Sequence, residues 1–187
     1  MGITMEIAHF LYHLKRDRLL LKANIMRAEL LPIPGEEKTD NYIFKTASKK
    51  EYDEAIKIYH KHCGAGVPWL IKLWNKEFER LCYIVKDEKD KIAGLAFFMF
   101  NEAEFDVNIV HELVIVIDES YRGQGLSTKL QRYCVKSLKQ STYAYISTCV
   151  GFNDIKALRS CQKAGFYILK QSAKPPSHYL ICKLKAL

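Results

Sequence analysis

A run of five residues without a polar side chain, Leu113 to Ile117, breaks off in the turn Asp118-Glu119-Ser120-Tyr121 and then in Arg122-Gly123-Gln124-Gly125-Leu126-Ser127. So short a run of leucine and β-branched residues fits a strand buried on both faces. The two glycines let the backbone approach whatever occupies the turn, because no Cβ stands in the way. Beyond them Leu126, Leu130, Tyr133, Cys134, Val135 and Leu138 recur at helical spacing, with Lys129, Arg132, Lys136 and Lys139 mostly between them. That pattern predicts a helix with one core face and one solvent face. Strand, turn and helix together offer backbone N–H groups at a helix N-terminus, where partial positive charge favours an anion such as a pyrophosphate. The plain alternative is an ordinary strand-turn-helix unit whose glycines only shape the turn.

A second segment changes the balance. Asn153 to Phe166 reads N-D-I-K-A-L-R-S-C-Q-K-A-G-F, with Asn153 placed as an N-cap, Ala157, Leu158 and Cys161 on one stripe, and Gly165 as the helix stop. In this order and separation, the R-x-x-G-x-small turn and the N-x-x-x-A to K-x-G-F helix resemble the two acetyl-CoA motifs of the GNAT superfamily of N-acyltransferases. The resemblance implies a mixed α/β fold: a central, mostly antiparallel twisted sheet of about seven strands flanked by helices, with an extra N-terminal helix. Laid along the chain, it makes residues 1–40 a helical extension and residues 41–187 the acetyltransferase domain. Tyr42 to Ala47, Leu81 to Lys86, Ile92 to Phe100, Val110 to Ile117, Tyr143 to Val150, Tyr167 to Gln171 and His178 to Leu184 are the expected strands. Glu51 to His62 and Pro68 to Arg80 are the helices expected to shape the acceptor side.

The same resemblance assigns roles. Arg122, Gly123, Gln124, Gly125, Leu126 and Ser127 would hold the pyrophosphate of acetyl-CoA, Ser127 standing where glycine or alanine is usual. Asn153 would bond the pantetheine chain. Backbone N–H groups near Ile115, Val116 and Ile117 would pair with that arm and stabilise the oxyanion. Many members place a tyrosine four residues before the glycine of K-x-G-F, aimed at the thioester sulfur; here that position is Cys161. A thiol with a reference pKa of about 8.5 can protonate a leaving thiolate, as can Ser160 or a water, and a buried packing cysteine is the alternative.

The chemistry itself sets three demands: a neutral amine, a stabilised oxyanion and a protonated leaving thiolate. Glu112 is the only carboxylate within Val110 to Ile117, and it is the expected base by its place in the family pattern. His111 beside it is an alternative with a reference pKa near neutrality. Adjacent strand side chains point to opposite faces, so one of the two faces the cleft.

Composition narrows the function classes. At 187 residues and 49% hydrophobic content the chain can bury one sizeable core. The longest apolar runs are too short to cross a bilayer, no secretory pattern opens the sequence, and Glu6 stands where N-myristoylation requires Ser or Thr. A cytoplasmic protein without a membrane segment is expected. The six cysteines fall mostly inside apolar patterns without a C-x-x-C pair and read as buried reduced thiols. His9 with His13, and His60 and His62 with Cys63, complete no set of four ligands, and the expected chemistry uses no metal.

The net charge of +8 is unevenly spread: residues 123–187 hold eleven basic side chains and one carboxylate, Asp154. Part of this excess suits a polyanionic cofactor; the rest is a solvated basic face or a docking surface for an acidic partner such as RNA. The stripe Ile7, Phe10, Leu11, Leu14, Leu21 and Ile25 predicts an amphipathic helix ending at Leu31 to Gly35, packed on the domain or on a second copy. Acceptor identity stays open among small-molecule, amino-acid and protein amines, with Trp69, Trp74 and the loop Ser172 to His178 as candidate lining. A longer acyl thioester, a catalytically silent CoA-binding scaffold and a polyanion-binding module are the other readings.

Overall fold

The two longest apolar runs become neighbours in one sheet. In the computed structural model, which describes residues 2–64 and 78–185, they form β4 (Ile92–Met99) and β5 (Ile109–Ile117). Before them come α1 (Gly2–Ala28), β1 (Glu37–Thr39), β2 (Tyr42–Thr46), α2 (Lys49–Cys63), the short α3 (Phe78–Leu81) and β3 (Cys82–Asp87). After them come α4 (Leu126–Leu138), β6 (Tyr145–Gly151), α5 (Ile155–Lys163), β7 (Tyr167–Ala173) and β8 (Pro176–Lys183). The described residues give a single eight-stranded sheet in the order β1-β2-β3-β4-β5-β6-β8-β7. Every pairing is antiparallel except β5 with β6.

Helices cover both faces. On one, Tyr52 and Tyr59 of α2 each set their rings 5.9 Å from Phe97. On the other, Tyr133 of α4 lies 6.0 Å from both Phe44 and Tyr83, and Tyr83 lies 5.2 Å from Phe98. Phe97 and Phe98 thus serve opposite cores, as alternation along a strand requires. Ser48 caps α2 reciprocally with Glu51, whose carboxylate also holds the buried Lys86 at 2.7 Å. The α1 helix is pinned to the end of β4 by fully buried Asn24, which exchanges two hydrogen bonds with the backbone of Phe100.

Four expectations change in detail. The sheet has an eighth strand, β1, whose three residues are too short to leave a periodic signal. The N-cap of α5 is Asp154 rather than Asn153, its carboxylate accepting from the Ala157 N–H at 2.9 Å. Ser172 to His178 is a tight hairpin, not an open loop, since β7 and β8 stay paired as far as Ala173 and Pro176. Cys149 is exposed, whereas Cys82, Cys134, Cys161 and Cys182 are buried. Trp69, Trp74 and most of the predicted helix Pro68 to Arg80 lie outside the described residues. Among those described, no helix is long and apolar enough to cross a membrane.

Candidate active site

The site begins where two parallel strands part. β5 and β6 pair from Ile109 with Tyr145 to Glu112 with Thr148, and no further. On its other edge β5 stays paired with β4 up to Ile117, opposite Gly94. A bulge between Phe97 and Phe98 leaves Leu113 unmatched on that edge, at the point where β6 turns away. The stretch Val114 to Ile117 therefore lines an open cleft of about 800 Å³ instead of a sheet interior. Its other walls are the glycine turn, the start of α4, the outer side of α5, and His62 and Cys63 at the end of α2.

The turn leaves backbone donors open beside the cleft. Gly123 and Gly125 have φ of +80° and +72°, the left-handed region that disfavours a side chain, and a Cβ on either would project into open space. Gly125 is the N-cap of α4 and supplies no side-chain cap, so the first N–H groups of that helix have no capping side chain. They sit beside Leu126, Ser127 and Thr128, which line the cleft. Arg122 is fixed from behind, its Nε donating to the Ile117 carbonyl at 3.1 Å and its Nη2 standing 3.3 Å from His62 Nδ1. A guanidinium only donates, so His62 Nδ1 accepts and Nε2–H faces Asp118 at 3.3 Å. Lys61 foremost, with Ser120, holds the Asp118 carboxyl well below the usual carboxylate range. Gln124 is turned aside, its side-chain oxygen accepting from Tyr42 at 2.6 Å.

The two predicted catalytic side chains come together on the α4 face of the sheet. Gln131 Nε2 stands 2.9 Å from Glu112 Oε1 and 3.2 Å from Cys161 Sγ. Glu112 and Cys161 are each 2% exposed, and neither forms the cleft wall. Glu112 Oε2 is buried without a partner. Burial pushes the Glu112 carboxyl up to about 7, against the Gln131 hydrogen bond. Burial foremost, and then the neighbouring Glu112, push the Cys161 thiol up to about 11. A hydroxyl track joins this pair to the cleft: Ser160 Oγ contacts Ser127 Oγ and Thr128 Oγ1 at 3.0 Å each, and Gln131 Oε1 at 3.3 Å. Gln131 was not singled out from sequence, though Ser127, Gln131, Cys134 and Leu138 form one helical stripe.

His111 points to the opposite face, toward α2. Its Nδ1 lies 2.8 Å from Ser147 Oγ, and Ser147 and Tyr179 both donate to Glu104. Ser147 has one proton and gives it to the carboxylate, so His111 Nδ1 donates and Nε2 is left as the acceptor. Burial pulls the His111 imidazole down, with Glu104 opposing. Asn153 lies just outside the large cleft, in a shallow depression with Phe152 and Pro176. No group of three or more His, Cys, Asp or Glu side chains converges as a metal site among the described residues.

The family model for the acetyltransferase (GNAT) family matches residues 44–166. Among curated proteins, the histidine N-acetyltransferase of Xenopus tropicalis is 28% identical over 109 residues, covering 57% of this chain and 32% of that protein. The chain thus spans about a third of the length of that relative. Among the solved structures that share the fold are two putative acetyltransferases. One is yncA, a putative acetyltransferase from Salmonella typhimurium with its cofactor acetyl-CoA: TM-score 0.67 at 12% identity, over 79% of this chain and 96% of that one. The other is a putative arylalkylamine N-acetyltransferase 7 of the yellow fever mosquito, with TM-score 0.64 at 13% identity over 83% and 97%.

Proposed function

The chain belongs to the acetyltransferase (GNAT) family, and we propose that it moves an acetyl group from acetyl-CoA to a primary amine, with Glu112 as the base. One observation carries this reading: the parted strands β5 and β6 open into the same cleft as the uncapped, glycine-lined N-terminus of α4. The first N–H groups of α4, with Ser127 and Arg122, suit a pyrophosphate, which needs donors, positive potential and no Cβ in the way. The unpaired edge Val114 to Ile117 suits an amide-bearing arm that completes the ladder, and its free N–H groups suit a developing oxyanion. Asn153 would meet that arm from the α5 side. The thioester supplies an activated acyl group and a leaving sulfur.

The residues of the chain then have a proton to take and one to give. Glu112, held near neutrality with Oε2 unpartnered, accepts the amine proton directly or through one water. On the same face Cys161, or Ser160 at the cleft wall, returns a proton to the sulfur. A second reading places the base at His111, because its Nε2 is left as a lone-pair acceptor on the α2 face by the Glu104-Ser147 arrangement. A scaffold that binds CoA without turnover would use the same cleft and leave Glu112 dispensable.

Thiol release from acetyl-CoA, followed across a panel of amines, tests the proposal. Histidine heads the panel, because a curated relative carries that activity in its name; other amino acids, a peptide N-terminus and arylalkylamines follow. Acetyl transfer that is lost in Glu112→Gln supports the reading. Acetyl-CoA binding with no transfer to any amine would favour the scaffold.

A further inference from the structure

The cleft carries more positive charge than a pyrophosphate cradle requires. Besides Arg122, its walls include Lys156, Arg159 and Lys163, all from α5. At spacings of three and four residues these project from one side of the helix. All three are exposed, and among the described residues none has a carboxylate partner. Several cations near them are engaged. On neighbouring α4, Lys129 pairs with Asp40 and Lys136 with Glu37, each at 2.6 Å, and at the end of α2 Lys61 pairs with Asp118 at 2.9 Å. Arg132 is committed to the Lys163 carbonyl at 2.8 Å. The one carboxylate on the α5 side of the cleft, Asp154, is occupied as the helix cap.

The position of the three cations says what they meet. Ser160 lies on the same side of α5 and touches Ser127 and Thr128 of the cradle at 3.0 Å. Lys156 and Lys163 are one helical turn to either side of Ser160, and Arg159 is adjacent to it in sequence. The strip therefore begins one side chain away from where a pyrophosphate would lie. Coenzyme A carries a second anionic centre, the phosphomonoester on the 3′-oxygen of its ribose, next to the pyrophosphate and farther from the thioester.

We infer that Lys156, Arg159 and Lys163 form a subsite for this 3′-phosphate, so that the chain selects CoA thioesters over their 3′-dephospho forms. The inference rests on the proposed cofactor reading and adds to it a recognition element outside the glycine turn. Charge-assisted contacts to a phosphate change affinity by about 10- to 100-fold.

Calorimetry on the full chain with acetyl-CoA and with 3′-dephospho-acetyl-CoA, at two salt concentrations, tests it. The expected result is dephospho binding about 10- to 100-fold weaker, a gap that narrows as salt rises. In a Lys156→Gln, Arg159→Gln, Lys163→Gln variant, affinity for acetyl-CoA should fall to the dephospho level while affinity for the dephospho form barely moves. Equal binding of the two ligands by the wild type would overturn the subsite and leave the cofactor reading intact. Equal losses for both ligands in the variant would reduce the strip to a general attraction and overturn it as well. Failure of the wild type to bind either ligand would remove the cofactor reading, and the subsite with it.

Discussion

Glu112 and Cys161 share a single hydrogen-bond donor: Gln131 Nε2 lies 2.9 Å from the carboxylate and 3.2 Å from the sulfur. Residues 49 positions apart on a strand and a helix are thereby locked to the inner face of α4, next to the cleft. An amide between them holds both groups in place and leaves Glu112 Oε2 without a hydrogen-bond partner.

The pH dependence follows from this burial. With the folded carboxyl raised to about 7, Glu112 as the proposed base would work only once ionised, so kcat/KM should climb through about pH 7 and then level off. Glu112→Gln should lower kcat by about 100-fold or more, abolish that limb and spare acetyl-CoA binding. Stability carries the opposite sign. A carboxyl whose folded pKa lies above its unfolded value favours the fold at low pH, and this is lost as pH rises from about 4.5 to about 7. Glu112→Gln should gain on the wild type by roughly 3 kcal/mol between pH 4 and pH 8, read by denaturant unfolding at both values.

Cys161 should behave as a protonated thiol at neutral pH, since burial pushes it up to about 11. Under native conditions at pH 8, iodoacetamide should label exposed Cys149 and leave Cys161, Cys82 and Cys134 unmodified. If the thiol protonates the departing sulfur, Cys161→Ala lowers kcat by about 10-fold or more with KM for acetyl-CoA nearly unchanged. An unaltered kcat would assign the proton to Ser160 or to water.

Ser147 separates the two candidate bases, because it touches His111 and lies on the face away from Glu112. With Glu112 as base, Ser147→Ala leaves the limb near pH 7 in place. Displacement of that limb by Ser147→Ala, together with loss of turnover in His111→Gln, would transfer the role to His111.

What could be read from sequence was local. The apolar run, the glycine turn and the stripes of α4 and α5 leave signals within fifteen residues, so strand, turn and helices were legible. Adjacent Asn153 and Asp154 are equally good caps, and the choice between them depends on the exit angle of β6, which no local pattern encodes. Gln131 looked like one polar residue in a core stripe, and its meaning depends on Glu112 lying across the sheet. The Glu104, Ser147, His111 and Tyr179 cluster joins a 3₁₀ turn to three strands, and long-range register alone brings it together. Which of Glu112 and His111 shares a face with α4 is likewise a matter of register, where a slip of one residue exchanges them.

Gly94 has a structural duty at the cleft. It pairs with Ile117, and a Cβ there would meet the Val116 carbonyl oxygen at 2.8 Å and crowd the Ile117 side chain. Because the first of these is backbone, Gly94→Ala must displace the end of β5 that forms the cleft floor. The expected cost is about 1–3 kcal/mol in stability, with acetyl-CoA affinity weakened by about 10-fold in calorimetry.

The most direct measurement is calorimetric titration of the chain with acetyl-CoA, beside a Gly125→Glu variant shown by circular dichroism to be folded. Gly125 combines a left-handed φ with open space above it, so the substitution puts a carboxylate where a phosphate is expected. One-to-one binding by the wild type at micromolar concentrations, lost in the variant, is the predicted result. No binding of acetyl-CoA or of any longer acyl-CoA by the wild type would contradict the account.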